Sequence, residues 1–103
     1  RNLENVVFIS LKRRKKEVFY FAEKGECDFI IKEETKVTEA IQVCYSFYKE
    51  NKDREVNGLL EAMKKFKLKE GLIITFDQEE QIVQEGMKIK IIPVWRWLLE
   101  KSE

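Results

Sequence analysis

Between residues 53 and 76 the hydrophobic period switches from helical to continuous with a short polar link between, and that junction constrains the fold more than any other feature of the chain. Val56, Leu59, Leu60, Met63 and Phe66 recur at steps of three and four behind Asp53, the pattern of an amphipathic helix with an N-cap. The helix is expected over about 53–67. "GLIITF" at 71–76 is apolar throughout, as expected of a strand covered on both faces. A helix that feeds directly into such a strand implies a crossover to a parallel neighbour.

The neighbour must come from upstream, where "EVFYFA" (17–22), "CDFIIK" (27–32) and "VTEAIQVCY" (37–45) read as three strands joined by the short turns "EKGE" and "EET". These form an expected antiparallel meander, and its third strand is the expected partner of "GLIITF". Alternation puts Val37, Glu39, Ile41, Val43 and Tyr45 on one face of that strand. Thr38, Ala40, Gln42 and Cys44 fall on the other.

Before the meander, Leu3, Val6, Val7 and Leu11 recur at helical spacing behind Asn2, so residues 3–13 read as an amphipathic helix. Glu4 falls at the edge of its apolar stripe, beside Phe8 and Leu11. After a polar loop, "MKIKIIPV" gives a fifth strand ended by Pro93, and "VWRWLLE" a short helix that packs Trp95, Leu98 and Leu99 on the sheet. The order is α-β-β-β-α-β-β-α. It implies an α/β fold with a central mixed sheet flanked by helices, in one domain over residues 1–103.

Composition removes several function classes. Apolar residues make up 44% of the chain and charged residues 38%, a globular profile. The 20 basic and 19 acidic side chains nearly cancel, so net charge selects neither nucleic acid nor a membrane as partner. His is absent, which rules out Ser-His and Cys-His nucleophilic pairs within this chain. There is no GxxxxGK[ST], so nothing here binds ATP through a P-loop. Cys27 and Cys44, both in expected strands, read as small buried hydrophobes in a reducing compartment. Without a signal peptide or an apolar run of spanning length, the expected location is the cytoplasm.

Two local features remain. The "KRRKK" run, Lys12, Arg13, Arg14, Lys15 and Lys16, is either a solvated helix terminus suited to the helix dipole or a patch that contacts DNA phosphates. Asp28 is the harder residue, because Asp disfavours strands and a carboxylate beside "FII" needs a cation, a metal or backbone donors. A short turn after "CDFIIK" brings the Gln42–Cys44 face near Asp28, with Glu4 looking in from the helix. Oxygen donors on adjacent elements suit Mg²⁺ or Mn²⁺, and such a metal activates water for attack on a phosphodiester.

With these residues in view, the chain resembles the restriction-endonuclease-like, PD-(D/E)xK domain that follows the ATPase module in archaeal and bacterial AAA-type ATPases. "LENVVF", "GECDFIIK", "IQVCYS", "GLIITF" and the closing "KIIPVWRWLLE" carry the resemblance in order. It implies that Glu4 supports the site, that Asp28 and Gln42 hold a metal, with Gln42 at the (D/E) position, and that Cys44 stands where the catalytic lysine belongs. A thiol does not replace an ammonium at neutral pH. Lys32, Lys49 and Lys52 are the candidates for a migrated lysine.

The resemblance therefore implies a degenerate nuclease-fold accessory domain that serves as a binding or docking module, with its own N-terminal ATPase module as partner and ATP bound only there. The alternatives are an active Mg²⁺- or Mn²⁺-dependent DNA nuclease, a non-catalytic DNA-binding module, and an oligomerisation domain.

Overall fold

The computed structural model describes residues 2–100. It is an α/β fold in which one six-stranded mixed sheet lies between helices. In chain order the elements are α1 (Asn2–Arg13), β1 (Glu17–Ala22), β2 (Glu26–Glu33), β3 (Lys36–Val43), α2 (Lys49–Lys65), β4 (Glu70–Thr75), β5 (Glu80–Gln84), β6 (Met87–Pro93) and α3 (Val94–Glu100). Across the sheet the strands run β1-β2-β3-β4-β6-β5. No helix among the described residues is long and apolar enough to cross a membrane.

The expected meander is present, with β1–β2 and β2–β3 both antiparallel. So is the parallel pairing of β3 with β4, through Ile41–Leu72, Gln42–Ile73 and Val43–Ile74. The two faces of the sheet carry separate cores. On one, α2 buries Val56, Leu59, Leu60 and Met63 against Ile30, Ala40, Ile73 and Ile89. On the other, Val7 and Leu11 of α1 and Trp97 of α3 meet Phe29, Ile31, Ile41 and Ile74.

Four local expectations are corrected. The segment read as a polar loop contains β5, antiparallel to β6 and joined to it by Glu85 and Gly86, both at positive φ. "EQIVQ" escapes a hydrophobicity reading because it is an edge strand and mostly exposed. Second, α2 starts at Lys49, and Asp53 lies inside it. The start is set by Asn51, whose Oδ1 accepts the Tyr48 N–H at 3.0 Å.

Third, β3 ends at Val43, so Cys44 and Tyr45 lie beyond the strand, and Val37 leaves the face it was assigned. The pairing shifts between Ile31 and Lys32, leaving Thr38 as an extra residue. This bulge turns Val37 to the α2 core, while Ile41 keeps to the α1–α3 core. Fourth, α3 packs through Val94, Trp97 and Leu98. Trp95 and Leu99 are exposed at 57% and 66%. Arg14 explains part of that choice, since its guanidinium stacks 4.4 Å from the Trp97 ring.

The basic run is thus not uniform. Lys12 and Arg13 end α1, Arg14 covers Trp97, Lys15 takes φ 59°, and Lys16 pairs with Glu33 at 2.7 Å.

Candidate functional site

Asp28 sits where a second bulge re-aims its side chain. In the β1–β2 register Phe19 faces Ile30 but Phe21 faces Cys27, so two residues of β2, Asp28 and Phe29, oppose Tyr20 alone. The alternation of β2 breaks there, with Cys27 in the α2 core and Phe29 in the α1–α3 core. Asp28 is carried to the end of β3, where its Oδ2 accepts the Val43 N–H at 2.8 Å.

Gln42, also at that end, is buried and fully engaged. Its Oε1 accepts the Asp28 N–H at 3.0 Å. Its Nε2 donates to the Glu26 carbonyl at 2.8 Å and to the Glu55 carbonyl at 3.0 Å. One amide therefore ties β2, β3 and α2 together through main-chain groups. Only this orientation of the amide meets all three partners.

Around these two residues lies a cleft of about 250 Å³, lined by Lys24, Glu26, Asp28, Gln42, Arg54 and Glu55. Glu4, on α1 and outside the cleft lining, is near enough for its charge to act on Asp28. Burial pushes the Asp28 carboxyl up to about 6, against the Val43 N–H, and the charges of Glu4 and Glu55 push the same way. Burial also raises Glu55; the neighbouring Arg54 opposes this and the charges of Glu4 and Glu26 add to it. Tyr20 is raised as well, by desolvation first and then by the neighbouring Glu26 carboxylate. The cleft sets three carboxylates, Glu26, Asp28 and Glu55, beside two cations, Lys24 and Arg54.

The structure thus brings Asp28 and Gln42 together at the cleft with Glu26, Glu55, Lys24 and Arg54, while Glu4 lines a neighbouring depression with Asn2, Asn5, Phe8 and Phe29. Cys44 faces the α2 core instead of the cleft, with Sγ donating to the Ser46 carbonyl at 3.2 Å and accepting from Asn51 Nδ2 at 3.3 Å. Burial and the Glu55 charge raise its thiol. Both cysteines are free, and burial of Cys27 pushes its thiol to about 12.

Of the lysines named as substitutes, Lys32 lies over the Phe19 ring and Lys52 reaches toward Glu80 at 3.9 Å. Lys49, in the first turn of α2, does not line the cleft. The cations that do are Lys24 and Arg54, the latter 3.4 Å from Glu55. Sequence reading missed Glu55 and Arg54 because they belong to the polar first half of α2, where charge is the ordinary state of a helix surface.

The donors fit a hard divalent cation incompletely. Asp28 and Glu4 supply suitable oxygens. Gln42, however, has its carbonyl oxygen turned to a main-chain N–H. Among the described residues no group of three or more His, Cys, Asp or Glu side chains is arranged to hold a metal ion.

The raised Asp28 carboxyl has a consequence for stability. Its ordinary value is 3.8 and its folded value about 6, so between these limits the folded chain binds more protons than the unfolded one. Stability then falls as pH rises through that window, and above it the full cost of a charged Asp28 remains. Allowing for solvent screening of a half-buried group, that cost is on the order of 1–2 kcal/mol. Asp28→Asn keeps an acceptor for Val43 and removes the charge. Urea unfolding at a series of pH values should show it more stable than wild type at neutral pH, with the slope between about pH 4 and 6 reduced. An unchanged slope would mean that Asp28 is not the titrating group.

No family model matches the chain. It is 40% identical over 110 aligned residues to a protein of Methanocaldococcus jannaschii described as "Uncharacterized protein MJ1544". The match takes in 96% of this chain and 24% of that protein, so the chain spans about a quarter of the length of the relative it resembles.

Proposed function

We propose that this chain is a restriction-endonuclease-like domain whose nuclease site has become structural, and that it serves as a docking module beside an AAA-type ATPase module. The observation that carries this reading is the bonding of Gln42. At the position where the resembled family places a metal-binding carboxylate, an amide nitrogen donates to two main-chain carbonyls, a task no ionised carboxylate performs. The lysine position is consistent with it, since Cys44 is tied to Ser46 and Asn51 within the core. The ATPase partner, with ATP bound in that module, rests on the resemblance. It accords with a relative whose length extends far beyond this match.

A second reading is favoured by one observation, the gathering of Asp28, Glu26 and Glu55 at a cleft that Lys24 and Arg54 also line, with the charge of Glu4 acting on Asp28 from α1. It makes the chain a Mg²⁺- or Mn²⁺-dependent DNA nuclease with a migrated cation, in which Asp28 and Glu4 would hold the metal.

The test is incubation of supercoiled and branched DNA with the purified chain in Mg²⁺ and Mn²⁺, alongside Asp28→Ala. The docking reading expects no cutting by either protein and no rise in Tm on adding Mn²⁺. Cutting by wild type that disappears in Asp28→Ala would replace it with the nuclease reading.

A further inference from the structure

At the opposite end of α2 from the acidic cleft, the sheet carries a groove of about 790 Å³ that the nuclease resemblance does not use. Phe19 of β1, with Phe66 and Leu68 just after α2, supplies apolar walls, and three lysines line it: Lys32, Lys36 and Lys67. Among the described residues no Asp or Glu lines it, in a chain with 19 of them. Seven other cations among the described residues form ion pairs, yet none of these three has an ion-pair partner there. Lys32 instead rests 5.8 Å above the half-exposed Phe19 ring.

The groove also adjoins an open sheet edge. β1 pairs with β2 on one side, and among the described residues no strand pairs with its other side. Edge strands are ordinarily protected by Lys, Pro or covering loops. "EVFYFA" has neither Lys nor Pro, its one charge is Glu17 at its start opposite Lys32, and Phe19 and Tyr20 are exposed at 45% and 61%. Phe19 pairs across the ladder with Ile30 of the α2 core, so the ring faces the groove.

We propose that β1 and this groove receive an extended peptide segment of a partner protein as a seventh strand. Main-chain hydrogen bonds to β1 would supply affinity, and side chains at alternate positions would supply specificity. On the groove side, an aromatic residue meets Phe19, Phe66 and Leu68, and acidic residues two positions away meet Lys32, Lys36 and Lys67. The occupant is therefore an acidic segment with a central aromatic. A second copy of this chain fits less well, because its own β1 offers one acid, Glu17, and would bring a second set of three lysines to the same edge.

The probe is a fluorescein-labelled peptide, Ser-Glu-Thr-Phe-Thr-Glu-Ser, titrated with the 103-residue chain and followed by anisotropy and amide hydrogen exchange. Saturable binding with new protection of β1 amides is expected. Binding should weaken about tenfold or more for the combined variant Lys32→Glu, Lys36→Glu, Lys67→Glu. These are surface charges, so circular dichroism should show the variant folded. A peptide with Lys in place of Glu, and one with Pro in place of both Thr, should each bind weakly. The proposal is overturned by no binding at about 1 mM chain, by binding indifferent to the charge reversals, or by binding without protection of β1. A concentration-dependent dimer that protects β1 without peptide would overturn it in favour of self-association.

Discussion

Replacing Gly58 by Ala should cost at least about 3 kcal/mol in urea unfolding, a large share of the roughly 5–15 kcal/mol that is ordinary for a single domain. Helix propensity alone argues the other way, since Ala is favoured over Gly by about 1 kcal/mol inside a helix. The packing overrides it. A Cβ on Gly58 would stand 2.2 Å from the Glu26 carbonyl oxygen and 3.0 Å from Gln42 Nε2. The first neighbour is main chain at the start of β2, held by its pairing with Ala22 of β1 and by the Gln42 amide.

Relief would require α2 to lift from β2, and that motion breaks more than one contact. Glu61, one turn further along α2, accepts the Lys24 and Gly25 N–H groups at 3.1 and 2.6 Å and so holds the β1–β2 turn. The Gln42 bonds to Glu26 and Glu55 also span the gap that would open. The comparison variant is Asn57→Ala, at an exposed position beside it on the same helix. It should be neutral or stabilise by a few tenths of a kcal/mol. If Gly58→Ala matched Asn57→Ala, α2 would not dock against β2 as described.

This close approach marks where sequence reading stopped. The period change around Val56–Phe66 and "GLIITF" predicted α2, β4 and the parallel β3–β4 pair, because burial imposes those patterns directly on side chains. Asp28 stood out for the same reason, as a side chain at odds with its strand. Bulges at Asp28 and Thr38 are different: they are decided by how two chains register, and no local pattern announces them. The exposed β5 and the choice of Trp97 over Trp95 likewise depend on neighbours, namely β6 and Arg14, that meet them only in three dimensions. Gln42 was correctly placed near Asp28, but an amide in a sequence does not reveal that all its partners are main-chain atoms.

That last point gives Gln42→Glu its force as an experiment. An ionised carboxylate at this position would keep the bond from the Asp28 N–H but would turn its second oxygen toward the Glu26 and Glu55 carbonyls. Two hydrogen bonds are lost, acceptors are opposed to an acceptor, and a charge is buried beside Asp28. A cost of about 3–5 kcal/mol at pH 7 follows. Protonation restores one donor, and burial raises the carboxyl, so the penalty should shrink as pH is lowered toward about 5. Urea unfolding of wild type and variant across that range measures both effects. The sign separates the two functional readings. If position 42 now belongs to the structure, restoring the acid destabilises the fold, and Gln42→Glu combined with Cys44→Lys gains no cutting. If the variant is as stable as wild type at neutral pH and its Tm rises with Mn²⁺, the amide is a substitute for a metal ligand, and the docking reading fails at the residue on which it rests.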